Sequence, residues 1–299
     1  MKLLVTGAAG FVGAAVVRAA LAAGHDVVAT GRSPNPERLR GSAASYYAVD
    51  LSDGPAIDAM IAHEQPDVII HSAWEGVSGA ARDGDIQLTN VTSTCRLIDA
   101  AIRGGTRKFV GIGSQAEYGR FDRLISEDDL PEPTMIYGVA KLAACHFARQ
   151  RAADAGLDFA WLRLFSPYGP SDNSNWLIPS LIAQMAAGLA PKMTMGKQRW
   201  DYLYIDDCAD AILATAVGGA TGVFNLCSGE AVLVRDVAET IRDLVAPRLD
   251  LIFGEIPYGP AQIMLLQGDR SRLSAATGWA PRVAFAVGVA RTVDAMVAA

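Results

Sequence analysis

The sequence predicts an α/β fold: a doubly wound parallel sheet, followed by a smaller C-terminal lobe partly interleaved with it. Three observations carry that expectation. Through the first half, short apolar runs alternate with helix-like stretches, the order that a parallel sheet covered on both faces requires. The first run leads into a glycine-rich turn, T-G-A-A-G-F-V-G at 6–13, which opens a helix. After Phe165 the alternation gives way to shorter elements, beginning with the turn cluster Ser166-Pro167-Tyr168-Gly169-Pro170.

Strands are expected at 3–6, 27–30, 46–49, 68–71, 109–112 and 159–164, where β-branched and aromatic residues gather. Helices are expected between them, near 11–23, 54–64, 84–103 and 137–155. Beyond the turn cluster a helix is expected at about 179–188, with short strands near 193–195 and 202–205. A helix near 208–217, a strand at 223–226, a helix at 234–244, a strand near 249–253 and a C-terminal helix complete the chain. The larger domain is therefore assigned to 1–165 with returning segments near 203–228, and the smaller lobe to 166–202 and 229–299.

Bulk composition narrows the function classes. The 299 residues are 51% hydrophobic and 19% charged, which suits a packed enzyme core rather than a disordered chain. The net charge of −6, with no block of Lys or Arg, argues against nucleic acid or an anionic membrane surface as partner. Cys95, Cys145, Cys208 and Cys227 are far apart, so neither a disulfide framework nor a zinc site is expected. His71 ends a strand while His25, His63 and His146 are isolated, so no metal site is expected. Residues 2–5 read as a first strand rather than part of a leader peptide, and no apolar run reaches the ~18 residues of a membrane span. A cytoplasmic protein is the expectation.

Gly7, Gly10 and Gly13 have the spacing of a dinucleotide loop. The first permits a tight turn, the second lets the backbone approach a pyrophosphate, and the third lets helix and strand pack closely. Free N–H groups at the helix start then face the phosphates. The second strand ends in Gly31-Arg32-Ser33. An NAD site commonly has a carboxylate there for the ribose 2′-hydroxyl, whereas an arginine suits a 2′-phosphate. Arg32 thus points to NADP(H) over NAD(H), unless it is only a solvated loop residue. Asp50, with Leu51 at the same cofactor edge, either accepts from the adenine amino group or makes an Asx turn.

Tyr137 and Lys141 stand four apart in Y-G-V-A-K, on one helix face. A nearby ammonium favours the phenolate and makes a tyrosine usable in acid/base chemistry. Ser114 ends the fifth strand.

With these motifs, the chain resembles the extended short-chain dehydrogenases/reductases, the Rossmann-type branch holding sugar-nucleotide epimerases, dehydratases and ketoreductases. The likeness runs from residue 1 to about 280. Besides the glycine loop it rests on H-S-A at 71–73, T-N-V-T-S-T at 89–94, G-S-Q-A-E-Y-G at 113–119 and Y-G-V-A-K at 137–141. R-L-F-S-P-Y-G-P at 163–170, W-D-Y-L-Y-I-D-D at 200–207 and T-G-W-A-P at 277–281 extend it.

The resemblance implies that Tyr137 is the proton donor and acceptor at the reacting oxygen. Lys141 would lower its pKa and hold the nicotinamide ribose, and Ser114 would hydrogen-bond the same substrate oxygen. Asn90 would support a proton path. Phe11 and Val12 would meet the pyrophosphate through their backbones, and Ala73, Phe165 and Pro167 would line the cofactor cleft. Dehydratases of this family have an acid and a glutamate shortly after the serine, where this chain has Gln115 and Ala116. Fucose-synthase-type enzymes need a cysteine at Ala116. Hydride transfer at one carbinol carbon remains.

The substrate side departs from the family pattern. Ser166, Trp200, Trp176 and Gly259 stand where polar or cationic diphosphate ligands are usual. The tryptophans either stack on a base or sugar or fill a pocket for a non-nucleotide substrate, with Lys192, Lys197 and Arg199 as replacement charges. Candidate substrate contacts are Ser114, Gln115, Ser166, Trp176, Leu177 and Trp200. Asp206 and Asp207 precede a helix and are expected to cap it and stabilise its dipole. The leading expectation is an NADPH-dependent 4-ketoreductase of a nucleotide-activated deoxysugar. A 4-epimerase with retained cofactor, a reductase of another carbonyl compound and a non-catalytic NADP-binding module are the alternatives. By family analogy, the helices near 84–103 and 137–155 are expected to pair two copies into a homodimer.

Overall fold

The computed structural model describes residues 1–297. It opens with β1 (Lys2–Thr6), α1 (Phe11–Ala22), β2 (Asp26–Gly31), β3 (Ser45–Ala48) and α2 (Gly54–Glu64). Next come β4 (Val68–His71), α3 (Ile86–Arg103), β5 (Lys108–Ser114), α4 (Ile136–Ala155) and β6 (Asp158–Leu164). The remainder contains β7 (Ser166–Tyr168), α5 (Leu177–Ala186), β8 (Arg199–Tyr204), α6 (Ile205–Val217) and β9 (Gly222–Leu226). It ends with β10 (Ala231–Leu233), α7 (Val234–Val245), β11 (Leu265–Leu266), α8 (Ser271–Thr277) and α9 (Phe285–Val297).

Seven strands pair in parallel in the order β3-β2-β1-β4-β5-β6-β9. The sheet is the doubly wound one expected. Strand side chains alternate between two cores. Leu3 and Val5 pack with Val16 and Val17 of α1 and Ile212 of α6. Leu4 packs with Ile57 of α2, Leu97 of α3 and Ala148 of α4. On β5, Gly111 and Gly113 leave room for the indole of Trp161 on β6; a Cβ at either would lie 2.2 Å from that ring. That clearance lets the central strands carry a fully buried tryptophan beside the end of β5, where Ser114 stands.

A smaller sheet is built around β8, which runs antiparallel to β10 and parallel to β11 and β7. Buried Asp201 pins its turns by accepting from the backbone N–H groups of Ser228 (2.8 Å), Gly229 (3.0 Å) and Gly268 (3.2 Å). The strands expected near 193–195 and 249–253 do not form; they shrink to one bridge between Met193 and Phe253. Gly196 and Gly254 turn the chain away at once through left-handed conformations, φ +67° and +92°. Asp206 and Asp207 lie inside the first turn of α6, where acids suit the helix dipole as expected, but neither caps it, because Tyr204 occupies the cap. Asp207 accepts instead from Val283 N–H at 2.9 Å. Among the described residues no helix is long and apolar enough to cross a membrane.

Candidate active site

The carboxyl ends of β1, β2 and β4 open into a cleft of about 380 Å³. Gly7, Gly10, Arg32, Ser33, Asp50, Leu51, Ala73 and Asn90 all line it. Gly7 is left-handed (φ +66°) and packs so tightly that a Cβ would lie 2.6 Å from Ala73. A Cβ on Gly13 would meet the Gly7 carbonyl at 2.3 Å and Ser72 Oγ at 2.8 Å. Gly10 differs: its Cβ would touch only the Gly7 oxygen, at 3.0 Å, so this backbone faces the cleft. No side chain caps α1 at Gly10, and its first N–H groups stay available to an anion. The cradle fits a dinucleotide pyrophosphate. Gly13→Ala is expected to cost about 1–3 kcal/mol by overpacking and to weaken dinucleotide binding, read by thermal unfolding and calorimetry.

Phe11 and Val12 form the first turn of α1, half-buried against the core. Asp50 Oδ1 accepts from Ser52 N–H at 2.8 Å, an Asx turn, which holds its carboxyl below the usual range. Arg32 is exposed, but its guanidinium is paired. Its Nη1 donates to Glu75 at 2.7 Å across the cleft edge. Asn90 holds Glu75 by its backbone, accepting from its N–H (3.0 Å) and donating to its carbonyl (2.8 Å). Buried His71 bridges Thr6 Oγ1 (2.8 Å) and Thr94 Oγ1 (2.9 Å), and burial drops its pKa to about 3, so it stays neutral.

Trp74 links this cleft to the tyrosine. Its ring lies edge-on to Tyr137 (6.3 Å, 86°), and Lys141 Nζ sits 3.8 Å from its centre. Lys141 also donates to the Ile112 carbonyl at 2.6 Å. Its burial lowers its pKa to about 7. Burial raises the Tyr137 pKa, while the Ser114 hydroxyl and the Arg82 charge pull it down. Arg82 Cζ lies 4.6 Å from the centre of the Tyr137 ring. Ser114 is fixed from behind by Glu117, which accepts from its backbone N–H at 2.9 Å. A phenol with a serine hydroxyl at one side and a dinucleotide cleft close by can exchange a proton with an alcohol or carbonyl oxygen.

Other candidates lie outside this constellation. Phe165 is buried with Tyr118, Ile125, Cys227 and Leu266, and Trp200 packs against the same group. Ser166 and Pro167 are half-buried on β7. Trp176 and Leu177 start α5 on the surface. Gln115 follows Ser114, and its Oε1 is buried with no partner among the described residues.

The family model that matches, described as the NAD dependent epimerase/dehydratase family, covers residues 3–227. The chain belongs to this family. It is thus an extended short-chain dehydrogenase/reductase and an enzyme. A UDP-glucose 4-epimerase of Mycolicibacterium smegmatis is 29% identical over 309 residues, 98% of either chain. A GDP-6-deoxy-D-mannose reductase of Pseudomonas aeruginosa is 30% identical, covering 94% of this chain and 92% of its own. The structure of a Bacillus cereus UDP-glucuronic acid 4-epimerase with UDP-glucuronic acid and NAD matches with a TM-score of 0.87 at 25% identity, over 99% of both chains.

Sequence reasoning missed Trp74, Glu75, Arg82 and Gln87, which depend on how one loop folds back. It also passed over Glu117, although Ser114-Gln115-Ala116-Glu117 has the S-x-x-E spacing of a capping box.

Proposed function

We propose that the protein interconverts C4 epimers of a nucleotide-activated sugar and keeps its nicotinamide dinucleotide bound between turnovers. The Arg32–Glu75 pair is the observation that carries this choice. A 2′-phosphate would have to displace the Glu75 carboxylate from the guanidinium, whereas ribose hydroxyls are donors that a carboxylate accepts. When bound, the dinucleotide supplies reversible hydride acceptance. Tyr137 then exchanges the proton at the substrate oxygen and Ser114 hydrogen-bonds that oxygen. Gln115 and Ala116 offer no acid or base for elimination, so chemistry stays at one carbon. Relatives named for 4-epimerisation support the reading. Division into a dinucleotide-binding part (1–165 with 203–228) and a substrate lobe (166–202 and 229–299) belongs to it.

A second reading, the NADPH-dependent 4-ketoreductase, draws on Arg32 itself, a permanent cation at the end of β2. The Pseudomonas relative is named as a reductase. Both readings include a homodimer, supported by exposed Leu88 on α3 and exposed Val139 and Phe147 on α4; a one-chain sedimentation mass at micromolar concentration would count against it.

The test is cofactor content of the purified protein, then calorimetric titration of stripped protein with NADH and NADPH. Retained NAD and tighter NADH binding are expected. Glu75→Gln, which frees Arg32, is expected to shift the preference toward NADPH by about tenfold, or 1.4 kcal/mol. Freely exchanging NADPH on the unaltered protein would put the reductase first.

A further inference from the structure

We propose that Arg82 is a second cation for Tyr137, a positioning residue that keeps the phenol able to ionise independently of Lys141. The inference rests on the reading of Tyr137 as the acid/base. The loop after β4 is built to present Arg82. Gln87, fully buried on α3, donates to the carbonyls of Gly76 and Ala81, each at 2.9 Å, and accepts from Trp74 Nε1 at 2.8 Å. Asp83 Oδ1 accepts from Ile136 N–H at 3.1 Å, at the residue before Tyr137. The loop is thereby tied to α4 beside the tyrosine.

The guanidinium covers the ring face, 4.6 Å from its centre. A cation over an aromatic face is attracted to the ring's electron density, and that density rises when the phenol loses its proton. Arg82 forms no ion pair within 4 Å among the described residues, and its buried Nε has no partner among them. Its charge is not neutralised by a neighbour. Lys141 is placed differently: its ammonium donates to the Ile112 carbonyl and faces Trp74. Burial disfavours its charge, whereas arginine keeps its proton at every physiological pH.

The charged and titratable groups around Tyr137 are Arg82 and Asp83 from the loop, the latter bonded to Ile136 N–H, Lys141 from its own helix and Glu117 from the turn behind Ser114. Glu117 opposes phenolate formation, but it is paired at 2.8 Å with Arg163. Arg82 is the cation that acts directly on the ring.

The experiment is an ultraviolet difference titration of Tyr137 itself, each protein measured against its own Tyr137→Phe counterpart. Removing a positive charge raises the pKa of a phenol. Arg82→Met, which keeps an apolar stem over the ring, is expected to move the Tyr137 ionisation up by about one pH unit, a tenfold change in its equilibrium. Arg82→Lys is expected to restore most of the shift. In the oxidative direction, the acid limb of the turnover profile should move up with it. Unchanged titration in folded Arg82→Met overturns the proposal, as does an equal effect of Met and Lys, which would mark packing alone. A wild-type Tyr137 that stays protonated up to alkaline unfolding also overturns it. Failure of every nucleotide sugar to turn over would instead sink the proposed function, and the titration would still report on Arg82.

Discussion

Tyr137→Phe is expected to lower turnover by about 10²–10⁴-fold, the usual contribution of a positioned acid/base, with dinucleotide affinity nearly unchanged. The substitution removes one hydroxyl and leaves the ring. The edge contact with Trp74 and the cover of Arg82 depend on the ring, and the phosphate cradle at Gly7–Gly10–Gly13 is a separate part of the fold. Binding and chemistry should therefore separate cleanly. Single-turnover absorbance of the nicotinamide, with a panel of UDP-, GDP- and dTDP-hexoses, measures the chemical step, and calorimetry measures affinity. Loss of both together would mean that the ring props up the cleft. Retained turnover would remove the tyrosine from the mechanism and leave Ser114 and a water to account for the proton.

The parts of this molecule legible in the sequence are those set by local spacing. Buried parallel strands read as short apolar runs, so all of β1 to β6 could be placed within a residue or two. Tyr137 and Lys141 share a face because a helix turns in 3.6 residues. Gly7, Gly10 and Gly13 declare their loop because each answers a different steric demand. What local spacing does not show depends on partners distant in the chain. Arg32 and Glu75 are 43 residues apart, so their pairing leaves no local signal. Trp74 reads as an ordinary aromatic until the loop, clamped by Gln87, lays it against Lys141 and Tyr137. Trp200, a stacking face or pocket fill by its sequence, packs as a half-buried ring against the cluster around Phe165, a contact that local spacing does not show. Apolar content at 193–195 and 249–253 suggests strands, but it does not reveal the left-handed glycines that end them.

Glu117→Gln is expected to destabilise the protein by about 3–5 kcal/mol, the range for breaking one side of a buried ion pair. Glu117 is fully buried. One of its oxygens accepts from Ser114 N–H and from Trp161 Nε1, both at 2.9 Å, and the other accepts from Arg163 Nε at 2.8 Å. An amide can satisfy the first pair through its carbonyl. It then turns an NH₂ toward Arg163, donor against donor, and leaves a buried guanidinium uncompensated. The double variant Glu117→Gln with Arg163→Met removes both faults and is expected to recover most of the loss, as hydrophobic replacement of buried pairs often does. Urea unfolding of the two single variants and the double one gives the coupling energy. A loss below about 1 kcal/mol, the ordinary range for an exposed pair, would mean that water reaches the site. Because the amide carbonyl keeps the Ser114 backbone anchor, the loss should appear in stability rather than in turnover of the folded single variant.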